Sequence, residues 1–208
     1  TFLRWLCRLF FHVKISGKFP QNPSQKLLII ANHQSFLDGL LLGLFLPIDP
    51  VFVVHTGVAR SFWFRQGLRL VDYLAVDPTS PMAMKQVIKL LNQGRPVMIF
   101  PEGRITQTGS LMKIYDGPAF VAAKTEAQIV PVRIEGATRS YFSRMGGNYP
   151  KKLFPHITID IQAPTQIPPL SGETARLRRR QAGEAMRHIM QNMLFSAHPE
   201  ETLYGAFI

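Results

Sequence analysis

The chain has 208 residues, 46% of them hydrophobic, and 24 Lys+Arg against 13 Asp+Glu give a formal net charge of +11 at pH 7. A chain of this length buries a core without covalent staples, and its single cysteine, Cys7, excludes an internal disulfide framework or a cysteine-based zinc cluster and fits a reducing compartment. The basic excess points to phosphate, carried by nucleic acid, by anionic lipid headgroups or by a phosphorylated substrate.

The first residues form a pattern of their own. Phe2, Leu3, Trp5, Leu6, Leu9, Phe10 and Phe11 are interrupted by Arg4, Arg8 and His12 at four-residue steps. Steps of four align along one side of a helix, so a narrow polar stripe opposes a broad apolar face. The expectation is an amphipathic helix over residues 1–14 that lies on an anionic membrane, with Arg4, Trp5, Arg8 and Phe10 in contact. The competing expectation is a helix docked on the core. The segment is too short and too charged to span a bilayer, and arginines inside its apolar stretch argue against a signal peptide. The longest apolar run elsewhere, 39–48, is also far short of spanning.

Residues 15–208 read as one domain. Short apolar runs at 26–31, 51–54, 97–100, 129–134 and 156–161 predict buried strands, and helical patterns fill 36–45, 61–70, 82–92 and 118–125. Gly94, ahead of Arg95 and Pro96, marks the end of the third of these helices. After the proline-rich break at 164–169, a last helix is expected over 173–195. Its Arg176, Arg178, Arg179, Arg180 and Arg187 read as a solvated face. Strands alternating with helices predict an α/β fold with a largely parallel central sheet flanked by helices, whose ligands bind beyond the carboxyl ends of the strands.

The sequence holds no nucleophile elbow, no phosphate-binding loop of the Walker type, no dinucleotide fingerprint and no zinc-protease motif. Its six histidines are dispersed, so no metal site is expected. Two segments at strand ends remain. In Asn32-His33-Gln34-Ser35-Phe36-Leu37-Asp38, His33 stands between strand and helix, where its ring can fold back toward Asp38. A carboxylate on one ring nitrogen makes the other a general base near neutral pH. Ser35 and Asp38 also read as a capping-box-like helix start. In Phe100-Pro101-Glu102-Gly103-Arg104, glycine admits close approach of a ligand, and Arg104 offers a fork suited to phosphate oxygens. Glu102 either accepts hydrogen bonds from a hydroxyl-bearing ligand or pairs with Arg104.

In this order and about seventy residues apart, the segments resemble the glycerophospholipid acyltransferase family, with its N-H-x-x-x-x-D and F-P-E-G motifs. Ile129-Val130-Pro131-Val132 matches a later family block. The residues around Phe100–Thr106 and Gly109–Gly117 are similar to the acyltransferase domain of the bacterial bifunctional 2-acylglycerophosphoethanolamine acyltransferases/acyl-ACP synthetases. The resemblance implies an enzyme that moves an acyl chain from acyl carrier protein to a lysophospholipid hydroxyl in phospholipid remodelling. It implies His33 as base, Asp38 as its orienting partner, and Glu102, Gly103 and Arg104 around the acceptor. It further implies no cofactor, a peripheral place on the cytoplasmic face of the bacterial inner membrane, and a C-terminal acyl-ACP synthetase domain in a longer protein.

There are departures. Relatives that act on lysophosphatidic acid carry an arginine where Ile105 stands, and the arginine that ends the family's middle block is missing at Val76-Asp77-Pro78. These losses suit a phosphodiester headgroup, with Arg65, Arg69 or Lys113 as compensating cations. The alternatives are a 1-acylglycerol-3-phosphate acyltransferase that makes phosphatidic acid, and a non-catalytic basic module for membranes or nucleic acid. No nucleic-acid signature is present, so no nucleic-acid partner is expected.

Overall fold

The computed structural model describes residues 2–60, 71–77 and 81–195. The elements in chain order are α1 (Phe2–Phe11), β1 (Lys14–Gly17), β2 (Leu27–Ala31), α2 (Leu37–Phe45), β3 (Val51–His55), α3 (Thr56–Arg60), β4 (Tyr73–Val76) and α4 (Pro81–Asn92). They continue with β5 (Val97–Ile99), α5 (Asp116–Thr125), β6 (Gln128–Glu135), a 3-10 turn at Ala137–Arg139, β7 (Thr158–Ile161) and α6 (Ala175–Phe195). Every strand expected from an apolar run is present, with ends shifted by one or two residues. The expected helix at 61–70, with Arg65 and Arg69, lies outside the described residues.

The seven strands form one sheet in the order β1-β7-β6-β2-β5-β3-β4. All pairs are parallel except β6 with β7, so β1 and β7 run against the other five. β2 lies at the centre, and all five of its residues are buried. Side chains alternate across a strand. Leu27, Ile29 and Ala31 therefore join the core beneath α1 and α2, while Leu28 and Ile30 join the one beneath α4, α5 and α6. β1 and β4 escaped the sequence reading because they are the sheet's two edges. Their mostly exposed residues, Lys14 and Tyr73 among them, interrupt any apolar run. Gly94 ends α4 as expected, at φ +75°, with its N–H on the Leu91 carbonyl and the Arg95 N–H on that of Leu90.

The first helix docks on the core along one stripe and leaves its other face exposed. A narrow stripe of Leu3, Cys7 and Phe11, at four-residue steps, packs into the core with Leu37, Leu41 and Phe45 of α2. The face opposite leaves Phe2 74%, Trp5 57% and Leu9 52% exposed. Arg4 and Arg8 do not form a free polar stripe: both guanidinium groups lie over the Phe45 ring, 5.8 and 5.6 Å from its centroid. His12 stands beyond the helix at φ +45°, its ring stacked on His156 at 4.3 Å. Phe10 stacks on Phe154 at 4.7 Å, and the half-exposed Phe154 continues the apolar surface away from α1. Among the described residues, no helix is long and apolar enough to cross a membrane.

The two faces of α1 should separate in a thermal melt. Leu3→Ala or Phe11→Ala removes packed side chains and should cost about 2–4 kcal/mol. Phe2→Ala or Trp5→Ala should leave the transition within about 0.5 kcal/mol, as exposed substitutions do. Equal destabilisation by both pairs would contradict this division.

Candidate functional site

β2 and β5 are parallel neighbours with Ile30 level with Ile99. His33 and Glu102 each stand three residues further on, so the two segments singled out in the sequence leave the sheet side by side at its carboxyl edge. The contact is direct: the His33 backbone N–H donates to Glu102 Oε1 at 2.9 Å. The His33 carbonyl accepts the Thr106 N–H at 2.8 Å, so both backbone polar groups of His33 are held by the segment after β5. The other Glu102 oxygen, Oε2, accepts the Met112 N–H at 2.8 Å and ties down the far side of that loop.

The imidazole is fixed as firmly. His33 Nδ1 lies 2.8 Å from Asp38 Oδ2, and the ring stacks on Phe100 with centroids 4.0 Å apart and planes 13° from parallel. Asp38 is fully buried. Its Oδ2 also accepts the N–H groups of Gln34 (2.6 Å) and Ser35 (2.8 Å), and its Oδ1 accepts the Ser35 hydroxyl at 2.8 Å. Around this carboxylate every other partner donates, so Nδ1 carries the proton and donates too. Nε2 is left with a lone pair on a side chain that keeps 19% exposure. Asp38 does not cap α2, whose N-cap is Phe36 with no side-chain cap hydrogen bond. Its Oδ2 instead closes the turn ahead of the helix through the Gln34 and Ser35 N–H groups, and the same oxygen meets the imidazole.

Behind the site, Asn32 is buried and pairs with Ile134 in both directions, Nδ2 to its carbonyl and Oδ1 from its N–H, each at 2.8 Å. Sequence reasoning quoted Asn32 without giving it this task. The signal available was a polar residue at the end of a fully apolar strand, which must find a partner when buried. From the other side, the Phe142 carbonyl takes the Phe36 N–H at 3.1 Å, and Arg144 lies over the Phe36 ring at 5.0 Å. This closes the β6–β7 connection over the start of α2.

The remaining expected site residues are placed differently. Glu102 is 1% exposed and spends both oxygens on backbone N–H groups; its salt bridge to Arg104 is not formed. Burial pushes its pKa above the usual carboxylate value, against the opposing pull of the Met112 and His33 N–H groups. Gly103 sits at φ +63°, where a Cβ would come within 3.0 Å of the Tyr115 ring, so both conformation and space call for glycine. Arg104 and Lys113 are exposed on the same loop, with Lys113 Nζ 5.6 Å from the Tyr115 ring centroid. Ile105 is buried in the turn that holds His33. Among the described residues, no group of His, Cys, Asp and Glu could hold a metal ion.

Comparison with known proteins gives this geometry its family. The Acyltransferase family matches residues 12–135, more than half of the chain and both segments of the site. The chain belongs to the acyltransferase family. It is 25% identical over 210 aligned positions to a 1-acyl-sn-glycerol-3-phosphate acyltransferase of Pseudomonas aeruginosa, covering 97% of this chain and 80% of that protein. It is 32% identical over 133 residues to a chloroplastic 1-acyl-sn-glycerol-3-phosphate acyltransferase of Arabidopsis thaliana, covering 61% of this chain and 37% of the relative. The chain likewise spans 62% of a human relative, 1-acyl-sn-glycerol-3-phosphate acyltransferase alpha. The fold matches that of the 1-acyl-sn-glycerophosphate acyltransferase PlsC from Thermotoga maritima, with a TM-score of 0.62, 18% identity, and coverage of 95% of this chain and 82% of that one.

Two outcomes follow from the geometry. His33→Ala should lower acyl transfer about 10²–10⁴-fold with the fold retained, since Asp38 keeps three other donors. Retention of near-wild-type turnover would remove it from the chemistry. The second outcome concerns Glu102. Its folded pKa lies above the unfolded value of about 4.3, so its contribution to stability is full below that value and is lost as pH rises through the folded one. Glu102→Gln abolishes this titration. Denaturant melts across that range should show the wild type losing stability relative to the variant as pH rises, and a trend in the other direction would contradict the burial argument.

Proposed function

We propose that the chain is a lysophospholipid acyltransferase that moves an acyl chain from a carrier-protein thioester to the free hydroxyl of 2-acylglycerophosphoethanolamine, forming phosphatidylethanolamine. The observation that carries this reading is the imidazole of His33, its Nδ1 bound to a buried Asp38 and its Nε2 able to take a proton at the open edge of the sheet. The acceptor hydroxyl oxygen bonds to the thioester carbonyl carbon while its proton passes to Nε2. Asp38 stabilises the imidazolium formed. The tetrahedral intermediate then expels the carrier's thiolate, which takes the proton back, so His33 ends as it began. No redox or metal step enters this sequence.

The acceptor choice rests on charge. The position of the missing motif arginine holds Ile105, and it is buried in the core rather than aimed at a ligand. A phosphomonoester dianion therefore has fewer fixed cations here, while a phosphodiester needs fewer. Arg104 and Lys113, exposed on the loop that Glu102 anchors, are free to meet the acceptor or the acidic carrier protein. The second reading, a lysophosphatidic acid acceptor, is favoured by the names of the relatives, which are 1-acyl-sn-glycerol-3-phosphate acyltransferases. In the first reading the domain acts beside a C-terminal acyl-ACP synthetase, peripherally on the cytoplasmic face of a bacterial inner membrane. Phe2, Trp5 and Leu9 enter the lipid there, flanked by Arg4 and Arg8.

Parallel assays with lysophosphatidylethanolamine and lysophosphatidic acid, with acyl carrier protein as donor, separate the two. The expected result is faster turnover of the former, and preference for the latter would overturn the acceptor assignment. In vesicle sedimentation, Trp5→Ala with Phe2→Ala should weaken binding to anionic bilayers and raise KM for bilayer acceptor only. Unchanged sedimentation would show that α1 is not the membrane contact.

A further inference from the structure

Beyond the residues that hold His33, the end of β6 forms a second polar feature at the same edge of the sheet. Gly136, at φ +87°, lies so close to the β7 approach that a Cβ there would stand 2.0 Å from the His156 carbonyl oxygen. The 3-10 turn Ala137–Arg139 follows, held by the Lys152 N–H on the Arg139 carbonyl at 2.7 Å and by the Thr138 N–H on Gln34 Oε1 at 3.3 Å. Thr138 Oγ1 lies 3.2 Å from the Tyr149 hydroxyl. Together these surround a cleft of about 440 Å³ lined by Gln34, Glu135, Thr138, Arg139, Tyr149 and Lys152. That size is ordinary for a small-ligand site.

The cleft adjoins the catalytic residue from two directions. Gln34 follows His33 directly in sequence. Gly109, also on its wall, donates its N–H to Thr106 Oγ1 at 3.1 Å, and Thr106 is the residue whose own N–H is bound to the His33 carbonyl. These two links place the cleft beside the segment that carries His33.

The charges are mixed in a telling way. Arg139 and Lys152 bring two cations and His156 an imidazole, Tyr149 and Thr138 bring hydroxyls, and the exposed Glu135 brings one carboxylate, of which Oε2 pairs with Arg133 at 2.7 Å. A phosphodiester carries one negative charge for the two cations, and a primary ammonium two carbons beyond it suits the remaining oxygen of Glu135. A phosphomonoester has no ammonium to offer and adds charge that the carboxylate repels. Resting on the acyl-transfer reading above, we propose that this cleft holds the headgroup of the acceptor, a phosphodiester bearing a primary ammonium, and that Glu135 selects it over a phosphomonoester.

The test separates binding from turnover. In the His33→Ala background, soluble glycerophosphoethanolamine and glycerol 3-phosphate are titrated with NMR detection. Arg139→Ala with Lys152→Ala should weaken glycerophosphoethanolamine about tenfold to a hundredfold, as expected for lost charge-assisted contacts. Glu135→Gln should weaken it severalfold and leave glycerol 3-phosphate no weaker. In the active enzyme, the Arg139/Lys152 double variant should raise the lysolipid KM with kcat at saturation within about twofold. Sedimentation of the same variant with phosphatidylethanolamine vesicles lacking lysolipid should match wild type, which separates the acceptor's headgroup from that of the bulk bilayer.

Unchanged titrations in a double variant that melts like wild type would overturn the site. Equal loss of both ligands in Glu135→Gln would overturn its role in selection. A shift in vesicle binding with no shift in KM would assign the cleft to bulk lipid and likewise overturn the proposal. Binding of glycerophosphoethanolamine without acylation of lysophosphatidylethanolamine would sink the acceptor reading and leave the cleft standing. Acylation with an unaltered KM in the double variant would do the reverse.

Discussion

The site depends on a carboxylate that is not itself offered to a ligand. Glu102 accepts the His33 N–H with one oxygen and the Met112 N–H with the other, joining segments 69 residues apart in sequence and fixing the loop between β5 and α5. Each buried N–H left without a partner would cost about 1–3 kcal/mol, so the penalty for burying Glu102 is offset where two such groups meet. The parallel register of β2 and β5 brings the two strand ends level, and Glu102 turns that proximity into a fixed relation between His33 and the loop that carries Gly103, Arg104 and Lys113. In the folded chain Glu102 holds the His33 backbone against that loop.

Asp38 applies the same economy one residue range earlier. The turn between β2 and α2 leaves backbone N–H groups that need acceptors, and a carboxylate beside an imidazole fixes its tautomer. Oδ2 of Asp38 does both, taking the N–H groups of Gln34 and Ser35 together with His33 Nδ1. The stacking of His33 on Phe100 removes the remaining ring rotation. Preorganisation of this kind is assembled during folding.

The interior of the fold was legible because it obeys simple periodicities. β2, β5 and β6 are buried on both faces and read as continuous apolar runs, and α4 shows helical spacing. The edges were not legible, because β1 and β4 are paired on one side only and carry exposed residues. His33 and Asp38 could be placed from their position after a strand and before a helix. The tasks of Glu102 and Asn32 could not, since each partners backbone groups far away in sequence, and backbone N–H and C=O groups carry no residue-type signal. The opening helix was half legible. Its apolar abundance was evident, but a narrow docked stripe and a wide exposed one have the same composition, and only the packing of Cys7 and Phe11 tells them apart.

The account's central claim is that Asp38 holds the His33 imidazole with the proton on Nδ1 and the lone pair on Nε2. Ring-¹⁵N labelling of the intact chain with long-range proton–nitrogen correlation, above the pH at which the ring loses its second proton, reads this directly. The account predicts a protonated Nδ1 and an unprotonated Nε2 for His33, with the pattern lost in Asp38→Ala. A proton on Nε2, or a ring exchanging equally between both tautomers in the wild type, would contradict it.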